Sequence, residues 1–489
     1  MNATVILFVI AAYFSVLLLI SHLTGRKHSE NDAFFLGNRT SPWLPVAFGM
    51  IGASLSGVTF VSVPGMVRDA DMTYMQMALG FLPGYAVIAF ILLPLYYRMN
   101  LTSIYTYLER RIGRRAYKTG AAFFLLARTV GAATRLYVAI LILQTYVFDR
   151  WHIPFGLTAC IFLGMIWLYT YRSGVRTIVW TDTLQTLCLL TALVLIAVQL
   201  ADRMQLDAEG LVAAVRESPH FRIFVFDDWA SRQHFVKQFL SGMFVTIAMT
   251  GVDQEMMQKN LSCRNLREAR KNMCWYGISF VPVNFLFLCL GVLMLSFAAG
   301  AGIALPDAPD DMLPTLIAGG FLGDVSLIFF IIGIIAVTFS SADSALTGLT
   351  TSFCVDMLGI AKYPEAKARQ MRIGVHLLIS LAFIAIILIL RAAAGSSIID
   401  TFYTIVSYTY GPLLGLFAFG LISKRNTRDR WTPFVCIAAP LLCWALDRTL
   451  QHAFGYAFGY EILIVNAGLV MAGLFACSHR ISGSGQKRF

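Results

Sequence analysis

The sequence predicts an all-α polytopic membrane protein with about 13 transmembrane helices. Of its 489 residues, 58% are hydrophobic and 13% are charged, and the mean hydropathy is +0.70. Apolar stretches of about 20 residues, the length that crosses a bilayer as a helix, recur along the whole chain. The formal net charge of +11 is divided among the connecting loops rather than gathered in one patch. We therefore expect the lipid bilayer, and no nucleic acid, as a partner.

The predicted spans follow one another through short connections. The first, over 4–22, is an uncleaved peripheral helix because no basic residue precedes it. Spans 2 to 6 cover 43–66, 73–97, 118–147, 154–171 and 175–200, and spans 7 to 11 cover 235–257, 275–300, 322–358, 373–392 and 396–422. Spans 12 and 13, over 431–447 and 459–477, are also peripheral. The longest connection, about 201–234, is too short for a core of its own, although a surface helix is expected around 206–217. We predict one membrane transport domain over 1–489.

Lysine and arginine alternate in density from loop to loop. The basic loops follow spans 1, 3, 5, 7, 9 and 11, with examples at Lys27, Arg111, Lys259, Arg267, Lys367 and Arg428. Basic loops face the cytoplasm, so we predict an outside N-terminus and a cytoplasmic C-terminus in the inner (cytoplasmic) membrane. The nine cysteines are scattered and indicate neither disulfides nor a cysteine metal site. We expect a monomer or a weak homo-oligomer.

Span 9 carries oxygen-bearing side chains where a lipid-facing helix would be apolar. They are Thr338, Ser340, Ser341, Asp343 and Ser344. An intramembrane aspartate costs about 2.5–3.5 kcal/mol, and hard cations take oxygen ligands. The run therefore predicts a cation site. The alternative is that the hydroxyls bond back to carbonyls of their own helix and help it pack.

Two other spans carry residues that can meet this run. Span 2 contains Gly52-Ala53-Ser54-Leu55-Ser56-Gly57, where we expect the helix to unwind and present carbonyls; close packing of small residues is the alternative. In span 6, Asp182 lies roughly 10 Å from the inner surface. That depth matches Ser340 and Ser341, so a carboxylate and two hydroxyls can converge. Asp182 could instead pair with a buried arginine.

Arg128 and Arg135 in span 4 are the only cations that we predict within the hydrocarbon zone. They are seven residues apart and share a helix face. Arg128 approaches the depth of Asp182, which favours a structural role. Arg135 lies roughly 25 Å from the inner end and is predicted to face a central cavity, where its fork can bind an anionic group. The other predicted substrate contacts are Ser56, Thr59, Phe60, Thr246 and Tyr403.

Several motifs together resemble the sodium:solute symporter family, which includes proline, sialic-acid, sugar and iodide symporters. They are Gly52–Gly57 with Pro64-Gly65, Trp180-Thr181-Asp182 with Gln185, 336–356, Asp253-Gln254 with Gln258, and Tyr410-Gly411-Pro412. The resemblance covers nearly the whole chain. It implies a LeuT-like inverted five-plus-five helix repeat with extra helices. Repeat one would cover about 43–200 and repeat two about 235–422.

The resemblance also implies ligand roles. Na⁺ would be held by oxygens of Gly52 and Leu55 and of Val337, Ser340 and Ser341, with Asp182 close by. In the sialic-acid branch the equivalent aspartate and nearby hydroxyls form a second sodium site; whether Asp182 or Asp343 completes such a site here stays open.

For the substrate, the residues point in two directions. Val58, Thr59 and Phe60 stand where sugar transporters place polar groups, which disfavours a sugar. Arg135 is similar to the arginine that binds the substrate carboxylate in sialic-acid symporters. Asp343 is instead typical of choline-type members.

We therefore expect sodium-coupled symport, with Na⁺ as the only cofactor and an organic anion or zwitterion, such as a sugar acid or amino acid, as the solute. A choline-like cation, a sugar or an inorganic anion is the alternative solute. A sensor or receptor is disfavoured because only a short basic tail follows Ser478. An enzyme with Ser340 or Ser341 as nucleophile is disfavoured because span 9 offers no base.

Overall fold

The computed structural model describes residues 3–25, 31–171, 174–229, 231–392, 398–456 and 458–479, with the side chains of 3–4, 25, 150 and 398–406 left out. The described chain is a bundle of long helices, and each predicted span coincides with one helix or one bent pair.

The helices keep the span numbers used above. Spans 1 to 6 are Ala3–Gly25, Trp43–Ser54 with Gly57–Ala70, Tyr74–Arg98, Arg114–Phe148, Phe155–Thr170 and Val175–Arg203. Spans 7 to 13 are Phe235–Gly251 with Gln254–Leu261, Leu266–Ala301, Gly323–Leu358, Glu365–Ala392, Ile398–Ile422, Thr432–Phe454 and Ile462–Ala476. Short helices cover Asn31–Leu36, Thr106–Arg111, Ala208–Arg216 and Met312–Ala318. Strands Asn426–Thr427 and Ser478–His479 pair antiparallel.

Length and apolarity identify this as a multi-pass membrane protein. Within the described residues, eight helices are long and apolar enough to cross a membrane, and two bent pairs raise that number to as many as ten. Three shorter apolar helices, Phe155–Thr170, Ser407–Ile422 and Ile462–Ala476, complete the bundle. The predicted surface helix is present as Ala208–Arg216.

Spans 2 and 7 are the two bent pairs. Span 2 bends by 63° between Ser54 and Gly57, and span 7 bends by 66° between Gly251 and Gln254. The first break was predicted from its glycines, whereas the second was not. We call the halves 2a and 2b, and 7a and 7b.

The packing of the helices repeats with a shift of five spans. Span 6 packs along span 9, and span 11 packs along span 4 in the same way. Likewise span 3 packs against span 7, and span 8 packs against span 2. A chain whose second half repeated the first would produce this pairing, and both halves begin with a broken helix.

Two of the predicted basic loops, those after spans 3 and 11, contact each other. Arg111 donates to the Gly420 carbonyl at 3.0 Å, and the Arg115 amide donates to the Asp429 carboxylate at 2.7 Å. At the opposite end, Arg68 donates to the Pro306 carbonyl at 2.7 Å. These two loops, which were assigned to a common side from their charge, therefore share a side.

Spans 3 and 7a approach closely through Gly80 and Gly242. A Cβ added to Gly242 would overlap the Met77 carbonyl, which belongs to the backbone and cannot swing away. We expect Gly242→Ala to cost about 1–3 kcal/mol of stability through overpacking. Thermal unfolding in detergent should show a lower midpoint. The matched control is Gly164→Ala, because an added Cβ there meets nothing within 4 Å; equal midpoints for the two variants would contradict the packing account.

Candidate functional site

The break in span 2 exposes backbone groups inside the bundle. Helix 2a ends with Leu55 in an extended conformation, and Ser56 caps helix 2b by accepting from the Thr59 amide at 3.2 Å. The Leu55 carbonyl is thus turned away from the helical ladder. It accepts a hydrogen bond from the Ser341 hydroxyl of span 9 at 2.9 Å.

Close approach of helix 2a to spans 6 and 9 depends on Gly52. A Cβ on Gly52 would overlap the Thr186 hydroxyl and lie 3.3 Å from the Ser340 hydroxyl. The structure therefore brings together four of the six residues predicted to bind sodium: Gly52, Leu55, Ser340 and Ser341. Val337, the fifth, lies on the same helix one turn before Ser341. Carbonyl and hydroxyl oxygens within hydrogen-bonding distance are close enough to share one hard cation.

Asp182, the sixth predicted sodium residue, lies beside this group and is fully buried. One carboxylate oxygen accepts from the Ser340 hydroxyl at 2.7 Å. The other accepts from the Lys259 ammonium at 2.5 Å and lies 3.3 Å from the Ser344 hydroxyl oxygen. Lys259 also donates to Ser344 at 2.6 Å. The carboxylate is therefore balanced by an ammonium from helix 7b.

This ion pair corrects one interpretation of the sequence. Lys259 was assigned to the cytoplasmic basic loop, yet it is buried in the bundle with 2% of its surface exposed. A buried arginine was the alternative partner for Asp182, but Arg128, the arginine at that depth, pairs with Glu255 and Asp253.

The break in span 7 is closed by polar side chains. Asp253 caps helix 7b by accepting from the Met256 amide at 3.2 Å, and it accepts from the Tyr410 hydroxyl of span 11 at 2.6 Å. The Gly251 and Val252 carbonyls accept from the hydroxyls of Tyr96 and Tyr105 at 2.8 and 3.1 Å. Backbone groups released by the bend are thus paired inside the membrane, as the hydrocarbon interior requires.

Arg128 joins span 4 to this break. Its guanidinium forms a salt bridge with Glu255 and lies 4.0 Å from Asp253. All three side chains are buried. The structural role predicted for Arg128 agrees with this arrangement, but its carboxylate partners are on span 7 rather than span 6.

A central cavity of about 210 Å³ lies between the two breaks. Its polar lining includes Ser56, Thr59, Arg135 and Thr246, four of the residues predicted to contact substrate. Phe60 was also predicted there, but it is fully buried and packs against Phe287 and Phe330 instead. The bend redirects helix 2b and turns Phe60 away. The sixth predicted residue, Tyr403, has a side chain outside the described part of the chain.

A second, much smaller cavity of about 10 Å³ lies next to the first. Ser56, Arg135, Thr338 and Ser341 line it. Arg135 and Ser56 border both cavities, and Ser341 borders the small one. The predicted cation ligands and the predicted substrate ligands are therefore neighbours.

The sequence did not identify the residues that bond to the candidate residues Asp182 and Arg128. Asp253 and Glu255 fall at the end of predicted span 7, and Lys259 lies just after it, where the sequence looks like the start of a polar loop. Tyr85 and Tyr276, bonded to each other at 2.9 Å, form part of the cavity wall. Asp253 after an apolar run ending in Gly251 is a helix-start signal that could have revealed the second break.

Two other buried polar residues are hydrogen-bonded. Asp343 accepts from the hydroxyls of Tyr169 at 2.7 Å and Ser344 at 3.1 Å. His376 of span 10 bonds to the hydroxyls of Thr170 and Thr350, each at 2.9 Å.

Two broken helices that flank a central cavity with a few polar groups are typical of the class of secondary active transporters. Within that class, the model of the sodium:solute symporter family matches residues 34–429. The chain belongs to this family.

Individual relatives agree with this assignment. The chain is 23% identical to the sodium/sialic acid symporter of Aliivibrio fischeri over 95% of this chain and 92% of that protein. It is 22% identical to the sodium/sialic acid symporter of Proteus mirabilis over 97% of this chain and 96% of that one. With the human sodium/iodide cotransporter it shares 26% identity over 81% of this chain and 62% of that protein.

Solved structures confirm the fold. A Na⁺-coupled sialic acid symporter in a substrate-bound, outward-open state superposes with a TM-score of 0.81 at 18% identity, covering 97% of this chain and 99% of that one. Mhp1, a nucleobase-cation-symport-1 family transporter, gives a TM-score of 0.54 at 11% identity, covering 91% and 94%. The expected LeuT-like architecture is confirmed.

The expectation of sodium-coupled symport of a small solute is likewise confirmed by the family and its members. Na⁺ is the coupling ion. The family consists of transporters rather than enzymes.

Among the described residues, Arg128 is the only cation that forms salt bridges with Glu255 and Asp253. Because Arg128→Met would leave two buried carboxylates without their counter-charge, we expect a loss of about 3–5 kcal/mol in stability. Thermal unfolding in detergent measures it. Arg114→Met is the control, since Arg114 begins the same helix but is exposed. An Arg128→Met protein as stable as this control would contradict the charge balance described here.

Proposed function

We propose that the protein carries a small organic anion or zwitterion, such as a sugar acid or an amino acid, into the cell together with Na⁺. The observation that carries this proposal is the position of Arg135 on the wall of the central cavity, among the hydroxyls of Ser56, Thr59 and Thr246. A guanidinium presents donors in a fork that matches a carboxylate. The hydroxyls would bind the remaining polar groups of the solute.

The size and composition of the cavity support a small solute. Its volume of about 210 Å³ is below the roughly 300–1,000 Å³ of pockets for drug-sized ligands. Aromatic rings of Tyr85, Tyr276 and Phe280 also line it. The names of the relatives include carriers of sialic acid and monocarboxylates, which agrees with an anionic solute.

We further propose that Na⁺ binds to oxygens of Gly52, Leu55, Val337, Ser340 and Ser341. The hydrogen bond from Ser341 to the Leu55 carbonyl supports this set because it joins the two helices that would share the ion. Asp182 would act through Ser340. Because the carboxylate accepts a hydrogen bond from the Ser340 hydroxyl, the lone pairs of that hydroxyl stay available to the cation.

We also propose that the chain consists of two structural repeats and that its C-terminus lies in the cytoplasm. The helix packing, which recurs with a shift of five spans, supports repeat one over about 43–200 and repeat two over about 235–422. The end of the bundle that carries Arg111, Arg115 and Asp429 would face the cytoplasm of the inner membrane, since basic loops stay inside. That places the N-terminus outside and the C-terminus inside. The protein would act as a monomer or a weak homo-oligomer.

The sodium ligands are tested with Ser340→Ala and Ser341→Ala. Each variant removes one oxygen, so sodium affinity should weaken by about 1–3 kcal/mol, or roughly 5- to 150-fold. Substrate affinity at fixed sodium should fall too, because coupling is reciprocal. A sodium titration of solute uptake in proteoliposomes measures both. Half-saturating sodium unchanged in both variants would show that the site is elsewhere.

The solute class is tested with Arg135→Lys. Lysine keeps the charge but loses the fork, so carboxylate binding should weaken while sodium binding persists. Competition assays with wild-type protein should show inhibition by sugar acids, amino acids or monocarboxylates. Inhibition by a choline-like cation or a neutral sugar alone would reject the anion assignment and direct attention to Asp343.

A further inference from the structure

We propose that the Lys259 ammonium is a built-in cation that fills a carboxylate and hydroxyl seat next to the sodium site, so that Asp182 takes no second sodium ion. The seat consists of Asp182, Ser340 and Ser344. The ammonium lies 2.5 Å from the Asp182 carboxylate and 2.6 Å from the Ser344 hydroxyl. This inference rests on the proposed sodium site and adds the number of ions that couple to transport.

The seat has the composition of a cation site. It offers one carboxylate and two hydroxyl oxygens, and all three residues are buried, with at most 2% of their surface exposed. Oxygen ligands with one negative charge suit a hard cation. Gly49 allows helix 2a to close the seat, because a Cβ there would lie 3.0 Å from the Asp182 Cβ.

A second cation could not enter while Lys259 is present. The ammonium is attached to helix 7b and is buried, so it cannot diffuse away as an ion would. A sodium ion beside it would meet a like charge in a medium of low dielectric constant, where repulsion at a few ångströms is strong. One carboxylate can balance only one of the two.

Asp343 is the other carboxylate near the seat. It accepts from Ser344 at 3.1 Å and from Tyr169 at 2.7 Å. Asp343 is therefore connected to Lys259 only through Ser344, whereas Asp182 contacts Lys259 directly. A test must show which of the two carboxylates a new sodium ion would need.

The seat and the proposed sodium site share Ser340. Its hydroxyl donates to Asp182 at 2.7 Å, and its lone pairs are assigned to sodium. The charge of Lys259 therefore acts on the sodium site through one carboxylate and one hydroxyl. Removing that charge should open a new sodium position without destroying the first.

The test is the number of ²²Na⁺ ions bound by the purified full-length protein at saturation. We expect one ion for the wild-type protein and two for Lys259→Met, which has a side chain of similar length without the charge. The double variant Lys259→Met/Asp182→Asn should return to one ion. Lys367→Met removes the same charge from an exposed position and should keep one ion.

The outcomes distinguish this inference from the proposed function. Two ions on the wild-type protein, or one on a folded Lys259→Met, would overturn the inference and leave sodium symport intact. Two ions on the double variant would also overturn it, because the new site would not need Asp182. No sodium bound to the wild-type protein would instead reject the proposed sodium site.

Folding of Lys259→Met is itself informative. With Asp182 unpaired, the variant should unfold at a lower temperature in choline chloride than in sodium chloride, and this difference should exceed that of the wild-type protein. Sodium would then replace the lost ammonium. If Lys259→Met is unfolded in both salts while the double variant is folded, the seat accepts no metal ion and the inference is wrong.

Discussion

The balance of buried charge around the two helix breaks is the constraint on which the rest of the structure depends. Moving an ion from water into the protein interior costs several kcal/mol unless a partner and hydrogen bonds compensate. Asp182 is compensated by Lys259, and Glu255 and Asp253 are compensated by Arg128. Arg128 links span 4 to helix 7b, and Lys259, which belongs to helix 7b, links that helix to span 6. The broken helix 7b is thus held by opposite charges on spans 4 and 6.

These pairs leave the two breaks with different tasks. At span 2, the Leu55 carbonyl accepts a hydrogen bond from the Ser341 hydroxyl, a contact that a cation can replace. At span 7, the carbonyls of Gly251 and Val252 are bonded to tyrosines, and Asp253 is bonded to Tyr410. The first break is therefore suited to an exchangeable ion. The second is suited to a fixed internal network.

The sequence predicts the features that follow from local composition. It does not predict where a side chain lies when that position depends on a bend in the helix. Glycines mark the break in span 2, and hydroxyls crowded into span 9 predict that Ser340 and Ser341 face it. Phe60 was misplaced because helical periodicity cannot cross a 63° bend. Lys259 was misplaced because it directly precedes a basic loop. The Lys/Arg distribution that predicts loop orientation does not show that helix 7b bends into the bundle.

A tethered cation differs from a dissolved one in what it can do during transport. A sodium ion contributes its binding free energy to coupling because it leaves with the solute, and its concentration gradient then enters the cycle. An ammonium on helix 7b contributes charge but no gradient. It also ties helix 7b to spans 6 and 9 through Asp182 and Ser344. Any movement of helix 7b would have to carry Asp182 along or break a buried ion pair. This pair therefore favours motion of spans 6, 7b and 9 as one unit.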